Sequence, residues 1–219
     1  MMIKTTFIEN NIELSAGYIR CMEIENKAYF YRFIDSLNQV CNGEVLDDFS
    51  IYDIKSNSII LILDYFNINY NSKKVMGELS KLIRNKLDEN DYDELNKRFR
   101  KVLNIFKRVM GKIDIPISIV EDINVEGLIK LLNISINFSN NLLTNLLLLI
   151  DINKELNSEN ILVFVNLKQY LTKEELLELY KYSIYNGQVI ALIDSQSYGV
   201  ATEYEKKILI DATLEEYVL

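Results

Sequence analysis

Six cations spaced around one helical segment are the residues of this chain best suited to chemistry: Lys97, Arg98, Arg100, Lys101, Lys107 and Arg108. At about 100° per residue, Leu95, Phe99, Val102, Leu103, Phe106, Val109 and Met110 fall within one arc, and the cations take the rest of the circumference. Asn96 and Asn104 lie between them, and no Asp or Glu occurs from Leu95 to Ile113. A solvated amphipathic helix is the competing reading, but solvated faces normally mix both signs. The preceding helical segment adds Lys73, Lys74, Lys81 and Arg84. From Asn71 to Lys112 there are 12 Lys and Arg against 6 Asp and Glu, a local balance of +6 that leaves −14 for the rest of a chain whose net charge is −8. A basic segment in an acidic body makes a directed field, so the overall sign does not exclude a polyanion. A duplex presents one phosphate charge per about 1.7 Å of axis, and a helix of about 30 Å can track many of them. There is no aromatic residue on the cationic face and no helix-turn-helix pattern. Binding is therefore expected through phosphates, with little sequence preference and strong salt dependence.

A second set of polar residues is acidic: Glu121, Asp122 and Glu126, with Asp114 upstream. Calcium takes six to eight oxygen ligands in flexible geometry, which clustered carboxylates can supply. The spacing is not that of an EF-hand. The alternative is an acidic cap on the helix expected over Ile123–Leu132, because acids stabilise a helix start.

Enzyme chemistry finds little support. The chain has no His, which removes the commonest general base and metal ligand. Cys21 and Cys41 lie in apolar surroundings without a local partner that would mark a nucleophile, and they read as free thiols. Ser195 and Ser197 lack the glycines of a nucleophile elbow. The buried strand Ile59–Leu63 ends in Asp64 and leads into DYFNINYNSKK, the frame of a phosphate loop with no Gly to cradle an anion. Lys74 is followed by Val75 and not by a hydroxyl. Asp194, at the end of another apolar run, is the acid that could mimic a magnesium ligand. The expectation is a non-catalytic protein. A degenerate nucleotide-binding switch and a structural adaptor stand as alternatives to a DNA-binding role.

The elements that must position these residues follow from periodicity. Ile161–Val165 is a short apolar run suited to a strand buried on both faces. Thr172, with Glu175 three residues later, opens a helix as a capping box. Asn186-Gly187 closes that helix, and Val189–Ile193 follows as a second buried strand. Strand, helix, strand predicts a right-handed crossover and parallel sheet. Earlier, strands are expected over Ile3–Ile8, Ile12–Leu14 and Tyr18–Ile24, a helix over Glu25–Val40 and an edge strand over Phe49–Ile54. Helices are expected over Asn71–Leu87 and Asp91–Met110, a short strand over Asn133–Asn137, and a nearly all-apolar helix over Leu142–Ile152 with Ser139 as its cap. Ile208–Ile210 reads as a final strand. The fold class is α/β, with a head drawn from residues 1–69 and 156–219 and an inserted all-α leg over 70–155. About half the residues are apolar, enough for a substantial core. The start, MMIKTTFIENN, has no long apolar run of a signal peptide, and no segment is long enough to span a bilayer. A cytoplasmic location is expected, with no membrane partner.

LVFVN at Leu162–Asn166, followed by LTKEEL at Leu171–Leu176, resembles the Csn-two family, the small adaptation proteins of type II-A CRISPR systems. SIILILDYFNINYNS at Ser58–Ser72 is similar to that family's strand-to-leg transition, and VEGLIKLLNISIN at Val125–Asn137 to its second apolar segment and following strand. The resemblance implies an ATPase-like α/β head without a phosphate loop and an inserted helical leg. It implies a ring-shaped homotetramer that takes double-stranded DNA ends into its channel and threads along them. It also implies that calcium stabilises the leg through acids near Glu121, Asp122 and Glu126, although one acid of the family falls at Gly127 here. The implied partners are the CRISPR integrase and the RNA-guided nuclease of the same system, during spacer acquisition.

Overall fold

The computed structural model describes residues 2–6, 8–52, 58–156 and 159–219. They divide into two compact units, a head of residues 1–68 with 138–219 and a leg of 69–137. Among the described residues no helix is long and apolar enough to cross a membrane.

The head is α/β. Its main sheet has six strands in the order β5-β6-β7-β3-β8-β9: β5 is Ile59–Ile62, β6 Ile161–Val165, β7 Ile190–Asp194, β3 Ile19–Ile24, β8 Glu205–Ile210 and β9 Glu216–Val218. The first five are parallel and β9 runs antiparallel to β8. A small antiparallel sheet, β2-β1-β4, joins β1 (Met2–Thr5) to β2 (Ile12–Glu13) and β4 (Phe49–Tyr52). Helix α1 (Lys27–Cys41) starts where Asn26 accepts the amide of Tyr29. It places Phe33, Leu37 and Val40 in one core with Met22, Ile24, Ile193 and Ile208.

The unit β6–α6–β7 forms as the sequence predicts. Strands β6 and β7 are buried throughout. Thr172 and Glu175 close a reciprocal capping box on α6 (Lys173–Tyr185), at 3.2 and 2.8 Å. Gly187 takes φ 68 beyond its end, a conformation that costs a residue with a Cβ.

Several boundaries differ from expectation. The strand expected over Ile3–Ile8 forms over Met2–Thr5, and of the edge strand Phe49–Ile54 the part after Tyr52 lies outside the described residues. No strand forms over Asn133–Asn137. Asn133 takes φ 49, and the backbone of Ile136 spends its N–H and C=O on the side chain of Asn71, at 2.6 and 3.1 Å. The apolar helix, α5 (Leu142–Glu155), belongs with the head and not with the leg. It packs on α6, where Tyr182 donates to Asp151 at 2.6 Å, and its cap is Asn141, not Ser139. The C-terminal tail adds β9 to the sheet.

The face of the main sheet covered by α6 is unusual. Alternation along β3, β7 and β8 puts Cys21, Glu23, Leu192, Asp194, Glu205 and Lys207 on that one face. Lys168, in the short 3-10 turn after β6, bridges Glu23 at 3.1 Å and Glu205 at 2.8 Å. Lys207 reaches Glu23 at 2.9 Å. The four side chains are buried. Asp194 is 0 % exposed, and neither of its oxygens has a hydrogen-bond partner.

Candidate nucleic-acid interface

In the leg, α2 (Lys73–Lys86) begins at Ser72, whose side chain accepts the amide of Val75. Helix α3 (Glu89–Met110) begins two residues earlier than the pattern predicts, because Asp88 and Asp91 form a capping box there. Acids in its first turn and Lys107 and Arg108 in its last complement the helix dipole. At 22 residues it is about 33 Å long. Helix α4 (Val125–Leu131) follows, started by Asn124, and α2 packs against it.

All ten cations singled out in the sequence are solvent-exposed. They fall into two groups. Arg98 is held by Glu94 at 2.6 Å and Lys81 by Glu78 at 2.8 Å. Arg84 pairs with Glu126 at 2.9 Å, and Lys107 pairs with Glu121. Lys73, Lys74, Lys97, Arg100, Lys101 and Arg108 form no ion pair among the described residues. On α3 the two groups are sorted by angle. Lys97, Arg100, Lys101 and Arg108 occupy one arc of about 100°, opposite the apolar arc, while Arg98 and Lys107 stand at its borders. Two of these pairings were readable from spacing, since Glu94–Arg98 is i,i+4 and Glu78–Lys81 is i,i+3. The other two join residues 42 and 14 positions apart, which periodicity does not show.

The apolar arc of α3 is largely uncovered. Only Leu103 is buried, whereas Phe106 is 56 % and Val109 50 % exposed. Ile115, Ile117, Val120, Leu131 and Leu132 of the same unit are exposed too, and α2 has no buried residue.

The acids do not gather into a cation site. Glu121 and Glu126 are each taken by a basic side chain. Among the described residues no group of three or more His, Cys, Asp or Glu side chains stands close enough to hold a metal. Calcium needs six or more oxygens, and the residues as arranged do not fit it. Glu126 lies in the first turn of α4, as the capping alternative predicts. Exposed ion pairs contribute about 0–1 kcal/mol each. Millimolar calcium is therefore expected to leave the melting temperature unchanged to within about 2 °C. A larger rise in a calorimetric scan would mean that the acids regroup around the ion. At the strand ends, Asp64 is spent on its own turn, accepting from the amide of Phe66 and the side chain of Asn67.

The fold is similar to that in the crystal structure of Stu0660 of Streptococcus thermophilus, with a TM-score of 0.61 at 14 % identity, over 100 % of this chain and 76 % of that one. No curated protein matches the sequence. The family described as CRISPR-associated protein (Cas_Csn2) matches over residues 42–214, most of the chain. The protein therefore belongs to the Csn2 family of CRISPR-associated proteins.

Proposed function

We propose that this chain is a non-catalytic, sequence-nonspecific double-stranded DNA-binding protein that takes duplex ends during spacer acquisition. The observation that carries the reading is the unpaired row Lys97, Arg100, Lys101 and Arg108 along α3, with the paired cations kept to its margins. Point charges spaced along a rod match phosphates and read no base edges. One such row in a chain of net charge −8 binds weakly. Convergence of several rows solves this, and the bare apolar surface of the leg supplies the means, since exposed patches of that kind mark association sites. A homotetramer ring with legs lining its channel places the positive rows inward and the acidic remainder outward. The integrase and the RNA-guided nuclease of the same system are the proposed partners, and the cytoplasm the compartment in which they meet.

A gel shift tests the threading directly. Linear duplex is expected to be retained, and a covalently closed circle of the same sequence is not. Equal retention of both would reject threading. A shift that depends on added nucleotide would favour the degenerate switch instead.

A further inference from the structure

The head contains a cavity of about 660 Å³ that the DNA-binding role does not use. It lies between α6 and the segment linking β7 to β8, with Leu171, Leu176, Leu177 and Val200 among its walls. Its volume is within the range of sites that enclose small molecules. Its floor reaches the buried charge network through Lys168, Tyr180 and Glu205.

The sign of a suitable ligand follows from which polar groups are already spent. Glu205 is saturated: Oε1 accepts from Lys168 at 2.8 Å, Tyr180 at 2.9 Å and Cys21 at 3.1 Å, and Oε2 accepts the amide of Thr202 at 2.9 Å. Glu203 lines the same cavity and is exposed to solvent. The cations have capacity left. An ammonium carries three donors, and Lys168 uses two, on Glu23 and Glu205. Its Nζ also lies 5.6 Å from the centre of the Tyr198 ring, which lines the same cavity. Lys173, the first residue of α6, forms no ion pair among the described residues, and Thr202 Oγ1 is buried without a partner. Inside the cavity, therefore, an ammonium donor and a hydroxyl remain available while the buried carboxylate is spent, beside apolar walls and an aromatic ring.

We infer that this cavity binds a small amphiphilic anion, a flat aromatic body carrying one sulfonate, carboxylate or phosphate head. The head takes the spare donors of Lys168 and Thr202 with Lys173 at the mouth, and the body lies against Leu176, Leu177 and Tyr198.

Titration calorimetry of the full chain with three probes sharing one ring tests this: naphthalene-1-sulfonate, 1-naphthalenemethanol and 1-naphthylmethylamine. The sulfonate is expected to bind saturably and about tenfold tighter than the alcohol, as one charge-assisted contact provides, with the amine weakest. Leu177→Glu, on a half-buried wall, is expected to abolish binding, and Lys173→Glu, on the surface, to bring the sulfonate down to the affinity of the alcohol. The inference fails if none of the probes saturates, if the amine or the alcohol binds as tightly as the sulfonate, or if Lys173→Glu leaves the affinity for the sulfonate unchanged. Since both substitutions lie in the head, a sulfonate bound merely to the cations of the leg would be unaffected by them and would count against the site.

Discussion

Replacing Lys97, Arg100, Lys101 and Arg108 together with glutamine is expected to remove DNA binding at physiological salt. Each neutralised phosphate contributes about 0.9 to the slope of log K against log salt. Loss of four contacts lowers that slope by about 3.6 per chain and the affinity by about three orders of magnitude at 0.1 M salt. Glutamine keeps the helical propensity, so α3 should retain its circular dichroism signal. The matched control is Arg98→Gln with Lys107→Gln. These two already neutralise Glu94 and Glu121, so their removal takes away no phosphate contact and the salt slope should hardly change, although the released acids add some repulsion from the margins. A filter-binding series from 50 to 300 mM salt reads both variants. Were the control to lose as much slope as the quadruple variant, the row opposite the apolar arc would not be the contact surface.

That sorting of the cations marks the limit of what could be read from the sequence. The β6–α6–β7 unit was legible because its signals are local: an apolar run, Thr172 with Glu175, and Asn186-Gly187. The α3 pattern was legible because a helix projects its sequence onto a circle. The pairing of Arg84 with Glu126 depends instead on how α2 meets the chain 42 residues later. The same holds for α5. Its all-round apolar composition announced burial, but only the contact with α6 shows that it is buried in the head. The charge network was the largest omission. Glu23, Lys168, Glu205 and Lys207 look like ordinary surface residues one at a time, and they meet only when β3 pairs with β8. A signal was present in Glu23, a carboxylate inside the apolar strand IRCMEI, which is buried at all six positions. A charge there requires a buried partner.

Asp194 gives that network a measurable consequence. Burial raises its pKa from 3.8 to about 7, with Glu23 and Glu205 adding to the rise and the ammonium of Lys168 opposing it. The backbone amide of Lys168 also lies near enough to favour the charged form without closing a bond of normal geometry. Other groups around the network, Cys21, Tyr65, Tyr180 and Tyr198, stay neutral because their pKa values are raised. A carboxyl with a raised folded pKa binds its proton more tightly in the native state than in the unfolded chain. Stability therefore falls as pH rises from about 4, and the loss is complete above about 7; the gap corresponds to about 4 kcal/mol. Glu205 works in the opposite sense but outside this window. Burial raises its pKa, but the hydrogen bond from Lys168 and the amide of Thr202 outweigh that and hold it down to about 2. Its contribution is present above about pH 4.5 and is lost only in stronger acid. Asp194→Asn keeps the size of the side chain and removes the charge, while leaving an amide whose unmet hydrogen bonds cost about 1–3 kcal/mol. Urea unfolding at pH 5.5 and 8.5 is expected to show the variant gaining on the parent by about 2 kcal/mol between the two conditions, because only the parent must ionise a buried acid. If the difference between variant and parent does not change with pH, Asp194 does not titrate in this range and the network accommodates its charge.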